Sequence, residues 1–154
     1  LLALDGLDLA TPLAITPVDA LIPKNLYRIF IDNASRNTGE LSVVVFESNN
    51  PNYSYIRTLN NKIIEVCEKK VISSVATAGI FYFSTARLFL ECAEWSIKNN
   101  IRTNDLFFIA PSLNFAIVKG LTPKLFEINE SNYFRFSDYE TAIKSKIRYI
   151  NASK

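Results

Sequence analysis

The chain contains no histidine. That excludes Ser–His and Cys–His catalysis within it, and histidine-ligated metals. Any metal would have to be held by carboxylates, which suits a hard cation such as magnesium. Methionine is absent too, even at position 1, and cysteine is confined to Cys67 and Cys92. These two lack metal-ligand spacing and stand in apolar contexts, one on an expected strand and one on an expected helix. They read as buried free thiols of a reducing compartment rather than a disulfide. Excess charge of one sign is also missing: seventeen Lys and Arg face fifteen Asp and Glu. No basic block exceeds Lys69-Lys70, so neither nucleic acid nor a membrane surface is an expected partner. No apolar run reaches transmembrane length. The opening "LLALDGLDLATPLAI" has no positive flank and no cleavage site, so it is not a signal peptide. It reads as a helix tail running into a loop, and the expectation is a sequence that starts inside a longer protein.

What is present is a chain of 154 residues, 49% of them hydrophobic. That is enough for one substantial core, and residues 1–154 are expected to form a single domain. Leu1–Leu4 reads as a helix end closed by Asp5-Gly6. "PLAIT" (12–16) is a short buried strand. Residues 23–36 place Pro in a first helical turn and space Leu26, Ile29 and Phe30 helically. Asn37 to Gly39 breaks that helix. "ELSVVVFES" (40–48) is a β-branched strand. "NNPN" is a turn, and "YSYIRTL" with "KIIEVCEKK" around Asn60-Asn61 is a hairpin. "AGIFYF" is a further strand, with Gly79 at its start. Residues 85–100 form an amphipathic helix with Leu88, Cys92, Trp95 and Ile97 on one stripe. A helix from about Pro111 closes at Gly120, "KLFEIN" is a strand, and the tail is a helix capped by Ser137 or Asp138. This alternation predicts an α/β fold with a mainly parallel, mixed sheet.

Four residues could carry chemistry. Asp19 follows a strand, where ligands of open α/β sheets bind, and could hold a divalent cation; on position alone a turn or helix-capping role is the plainer reading. Glu68 and Lys69 end a strand. A lysine can take a phosphate and a carboxylate can accept sugar hydroxyls, but a solvated Glu–Lys pair is the plainer reading. Gly79 could let a ligand approach the backbone, or be a packing glycine or bulge. Tyr53, Tyr55 and Trp95 read as core or half-buried aromatics.

In their order, "PLAITPVD", "VVVFESNNPNYSYIRTLNNKIIEVCEKKVIS" and "ATAGIFYF" resemble the sugar nucleotidyltransferases, the family that includes glucose-1-phosphate thymidylyltransferase. The helix 85–100 and "RTNDLFFIAPSLNFAIVKG" fit it as well, so the resemblance spans nearly the whole chain and is most specific over residues 43–83. It implies a Rossmann-like nucleotide-diphospho-sugar transferase fold, an α/β/α sandwich. It implies attack by a sugar-1-phosphate oxygen on the α-phosphate of a nucleoside triphosphate, with pyrophosphate released and magnesium as cofactor. Residue by residue, it makes Asp19 the magnesium ligand and Glu68 the acceptor of sugar hydroxyls. It makes Lys69 the catalytic cation on the sugar phosphate, and has Gly79 line the sugar pocket.

The departures are specific. The family's Gly-rich loop, which cradles the triphosphate, has no counterpart, so the fold is expected to be incomplete at the N-terminus and the chain inactive alone. Val18 stands where a glycine usually precedes the metal aspartate, and Asp105-Leu106 replaces a Gly-Glu pair. Near the C-terminus "YFRFSD" puts Arg135 at the place of a second metal aspartate, with Asp138 displaced by three residues. The expectation is therefore a cytoplasmic nucleotidyltransferase-like protein of nucleotide-sugar and surface-polysaccharide biosynthesis. The alternative is a catalytically degenerate module that binds a sugar phosphate or nucleotide sugar. The expected partners are a sugar-1-phosphate and a nucleoside triphosphate, and a homo-oligomer is compatible with them.

Overall fold

The computed structural model describes residues 6, 8–36, 40–60, 62–136 and 139–152. The expected helix end at Leu1–Leu4, the break at Asn37–Gly39, Asn61 of the hairpin turn and the Ser137 or Asp138 cap lie outside them.

β3 (Leu41–Glu47) forms where three valines and a phenylalanine follow one another, and it is buried on both faces. Alternation along it divides the core. Leu41, Val43 and Val45 face one side, with Ile56, Val66, Phe81 and Phe83. Val44 and Phe46 face the other, with Tyr55, Ala76, Ala78 and Ile80. The first side is covered by α2 (Ala86–Lys98), α3 (Ile109–Ser112) and α4 (Asn114–Val118). The second is covered by α1 (Lys24–Arg36), which buries Phe30 and Ala34. The result is a helix–sheet–helix sandwich.

The sheet also contains β1 (Leu13–Ile15), β4 (Ser54–Leu59), β5 (Lys62–Glu68), β6 (Val75–Phe83) and β7 (Lys124–Glu127). Its order is β5-β4-β6-β3-β7, with β1 joined to β6. The sheet is mixed, as expected, but its balance differs from the expectation. Among the described residues only β3 and β7 pair in parallel; β1–β6, β3–β6, β4–β5 and β4–β6 are antiparallel. The connections explain this. β3, β4, β5 and β6 follow one another through turns too short for a parallel crossover, which takes a dozen residues or more. The long segment through α2, α3 and α4 brings the chain back beside β3 as β7, whereas the other long segment, through α1, separates β1 from β3, and β1 pairs with β6 instead.

Three further differences are local. The strand expected over "AGIFYF", with Gly79 near its start, begins at Val75, so Gly79 is interior to β6. Ile97 and Ile29 are exposed, and Ser96 and Ala34 take the inward positions instead, one helical turn from Cys92 and Phe30. The single helix expected through Gly120 is two short ones broken at Leu113. Two short strands had no counterpart in the sequence reading. β2 (Ala20–Leu21) and β8 (Phe134–Arg135) pair with each other as a separate two-stranded sheet. α5 (Tyr139–Ala152) follows β8, and Ser145 Oγ donates to the Arg135 carbonyl at 2.7 Å. No helix among the described residues is long and apolar enough to cross a membrane.

Candidate functional site

The site begins with a gap in the sheet. On the edge of β6 away from β3, β4 pairs at Ala76 and β1 pairs at Phe81 to Phe83. Among the described residues no strand lies against β6 between those points. On its other edge β6 bulges: β3 advances two residues, from Val43 to Val45, while β6 advances four, from Phe81 to Thr77. Gly79 lies in the extra stretch at φ +73°. A Cβ there would meet only the Pro17 ring, at 3.6 Å or more. The left-handed backbone, rather than crowding, is what favours glycine.

A cavity of about 450 Å³ opens at this gap. Its floor is Thr77, Ala78, Gly79 and Phe81 of β6. One wall is Asn52 to Ser54 with Glu68, and another is Phe107 to Ala110. The remaining wall is Ile15 to Pro17, Asp19, Tyr133 and Arg135. Asp19, Glu68 and Gly79 are thus brought to one cavity from three separate places: the approach to β2, the end of β5 and the interior of β6.

Glu68 is held by the hairpin. A register shift between Arg57 and Thr58 sets Ser54 opposite Glu68, and the Ser54 hydroxyl donates to Glu68 Oε2. Lys69 follows β5 in the left-handed region, at φ +52°, while its N–H donates to the Tyr53 carbonyl at 3.0 Å. Non-glycine residues reach that region only at a cost in strain. The side chain does not line the cavity itself. Its ammonium lies over the Phe108 ring, 5.0 Å from the centroid, at the cavity's rim. Beside Glu65, with which it shares a 3.2 Å contact, Cys67 is only half-buried rather than buried, whereas Cys92 is fully buried; both are free.

The phenylalanine wall is fixed to the same hairpin by Asn114. Its Oδ1 accepts from Val66 N at 2.9 Å and its Nδ2 donates to Val66 O at 2.8 Å. The amide thereby occupies the free edge of β5 as a paired strand would. The preceding turn, Thr103 to Leu106, has Asn104 and Asp105 at φ +48° and +61°. Such a turn favours Asn-Gly, and Asp105 accepts the left-handed conformation in glycine's place. Val18 is fully exposed and keeps a negative φ, so its position demands no glycine.

The opposite wall depends on β2 and β8. Ala20 pairs with Arg135, and Phe136 N donates to the Asp19 carbonyl at 2.7 Å. Asp19 and Arg135 are therefore on adjacent rungs, facing one cavity. The Arg135 guanidinium sits 5.5 Å from the Tyr53 ring centroid. Tyr53 packs edge-on to Phe46 and Tyr133, so it belongs to the wall as well as to the core. Burial pushes the Tyr133 phenol up to about 12, with Tyr53 and Asp19 nearby adding to the rise and Arg135 opposing it. It stays protonated at neutral pH. Sequence reasoning missed Ser54, Tyr133 and Asn114 as site residues, and took Tyr53 for packing alone.

Magnesium, which the resemblance implies, matches these residues poorly. Asp19 and Glu68 are the cavity's two carboxylates. Glu68 is engaged by Ser54, and Asp19 shares the cavity with the cationic Arg135. No group of three His, Cys, Asp or Glu side chains that could hold a metal occurs among the described residues. The remaining arrangement can receive an anion at Arg135 and Lys69, and hydroxyls at Glu68 and the bare backbone of Gly79.

No family model matches the chain, and no curated protein matches it by sequence. Solved structures do. The nucleoside-diphosphate-sugar pyrophosphorylase of Vibrio cholerae superposes with a TM-score of 0.72 at 19% identity, over 93% of this chain and 59% of its own. A Bacillus anthracis protein assigned as a glucose-1-phosphate thymidylyltransferase, solved with sucrose, gives 0.69 at 16% identity, over 94% and 56%. The inositol-1-phosphate CTP transferase of T. maritima gives 0.67 at 15% identity, over 99% and 59%. The chain thus spans less than two thirds of the length of each. It has the Rossmann-like fold of the sugar nucleotidyltransferases.

Proposed function

We propose that this chain is the sugar-phosphate-binding part of a nucleotidyltransferase-like protein. The observation that supports this most is the cavity at the gap in the sheet. It gathers Asp19, Glu68, Gly79 and Arg135, with Lys69 at its rim. A sugar ring would lie against the bare backbone at Gly79 and give hydroxyl hydrogens to Glu68. Its 1-phosphate would face Lys69 and Arg135, whose hydrogen bonds to phosphate are charge-assisted. In nucleotidyl transfer an oxygen of that phosphate bonds to the α-phosphorus of a nucleoside triphosphate. The bond from that phosphorus to the bridging oxygen breaks, and pyrophosphate leaves with the electron pair. The side chains' part is positioning and charge neutralisation, with Lys69 as the cation on the attacking phosphate. The product would be a nucleotide sugar for glycan synthesis.

A thermal-shift panel of sugar-1-phosphates tests the binding. Wild type is expected to gain melting temperature with at least one member, and Glu68→Gln and Lys69→Ala to gain less. Equal shifts in all three proteins would remove both residues from the site. The second reading, a binding or regulatory module without transfer, is favoured by Arg135 beside Asp19. Pyrophosphate release from a nucleoside triphosphate, assayed with the sugar phosphate that binds, separates the two. We expect none from this chain alone, and release above the no-enzyme rate would decide for the transferase.

A further inference from the structure

The poor match to a metal leaves a question of charge. A bound phosphate monoester carries up to two negative charges, and Asp19 and Glu68 add two more in the same cavity. Something fixed must offset them. Arg135 is the cation placed for it. Its backbone is held on three sides: by pairing to Ala20, by the neighbouring Phe136–Asp19 bond, and by the Ser145 hydroxyl on its carbonyl. Its guanidinium lies against the Tyr53 ring. Among the described residues it makes no ion pair, so no described carboxylate consumes its donors. A planar guanidinium stacked on an aromatic ring keeps its edge free for bidentate contact with phosphate oxygens.

We infer that Arg135 takes over the charge-neutralising task at the Asp19 end of the cavity, so that a phosphorylated ligand binds here without a divalent cation. Asp19 then accepts hydrogen bonds from the ligand. A dication beside Asp19 would meet the repulsion of Arg135 on the next rung. This rests on the sugar-phosphate reading above, and it concerns how the anion is held.

Calorimetric titration of the full chain with the sugar-1-phosphate from the thermal panel, once in EDTA and once in excess magnesium, tests it. Wild type is expected to bind with affinities within about threefold in the two buffers. Arg135→Gln is expected to weaken binding by about 10- to 100-fold in both, the loss of a charge-assisted bidentate contact. Arg135→Asp, which adds a carboxylate beside Asp19, is expected to bind only when magnesium is present. The wild-type comparison stands even if a variant misfolds. Binding by wild type only with magnesium overturns the inference and leaves the sugar-phosphate reading intact. Undiminished binding by a folded Arg135→Gln does the same. If no sugar-1-phosphate binds in either buffer, the sugar-phosphate reading fails and takes the inference with it.

Discussion

One wall of the cavity uses Asn52 to Ser54 and Glu68, all within a single hairpin. The facing wall joins Asp19, just before β2, to Arg135 on β8, from opposite ends of the chain. The first is part of the main sheet and is backed by α3 and α4 through Asn114. The second is a ladder of two-residue strands, held from behind by α5. The comparison teaches that the carboxylate and lysine side can form early and locally, whereas the aspartate and arginine side exists only once the chain ends have met. Contacts so distant in sequence carry the largest closure entropy.

The largest expected effect strikes the second wall. Phe134 is fully buried beside Arg135, with its ring 5.4 Å from that of Tyr149. Phe134→Ala is expected to cost about 3–5 kcal/mol, read as a lower urea midpoint. Hydrogen exchange should then show β8 and α5 opening before β4 and β5. An equal loss of protection in both walls would deny that they are separable.

Asn114→Ala strikes the first wall. It leaves Val66 N–H and C=O without the amide that satisfies them. The expected cost is about 2–3 kcal/mol in the same urea titration. Asn114→Asp, which can accept from Val66 N but cannot donate to its carbonyl, should lose a comparable amount.

Alkaline pH probes both regions at once. Burial pushes the Cys92 thiol, behind the first wall, up to about 11, and the Tyr133 phenol of the second to about 12. Both groups are neutral when protonated, and both ionise sooner in the unfolded chain. Their contribution to stability is therefore complete below pH 9 and is lost as pH rises, for Cys92 between about 9 and 11 and for Tyr133 between about 10 and 12. At about 1.4 kcal/mol per pH unit, each amounts to about 2–3 kcal/mol. Unfolding curves from pH 8 to 11.5 should steepen from pH 9 in wild type. The fall between pH 9 and 10 should be shallower in Cys92→Ala, where the Cys67 thiol, also pushed up by burial, still contributes.

The smallest effect sets stability against binding. Lys69→Gly relieves the left-handed strain and keeps the N–H bond to Tyr53. It should gain about 1 kcal/mol in stability while weakening sugar-phosphate binding. A glycine variant that is no more stable would mean that Lys69 is unstrained.

Much of this was legible beforehand because it depends on short range. β3 could be read from its valines, α1 and α2 from their apolar spacing, and the β4–β5 hairpin from Asn60-Asn61. Glu68, Lys69 and Gly79 could be placed near one another because the hairpin and the next strand follow directly. The sheet's antiparallel balance was less legible, since it depends on which neighbours each edge accepts. Ser54 was missed for a sharper reason. Counted from the turn without interruption, the hairpin sets Ser54 against Cys67; the register shift at Arg57 moves it to Glu68. A shift of one residue exchanges which side chains meet, and nothing in the residue pattern announces it.

The alternation of strands and helices, the strand end that carries Glu68 and Lys69, and the lack of histidine chemistry were determined by the sequence without help from the fold. Period and composition are local properties, and they act whatever the rest of the chain does. Tertiary structure alone decided that β6 is left unpaired beside Gly79, that Asn114 serves as an edge partner for β5, and that Arg135 stands one rung from Asp19. Each of these depends on backbone groups finding partners far along the chain. The pairing that satisfies them appears only when the whole sheet has closed around its core.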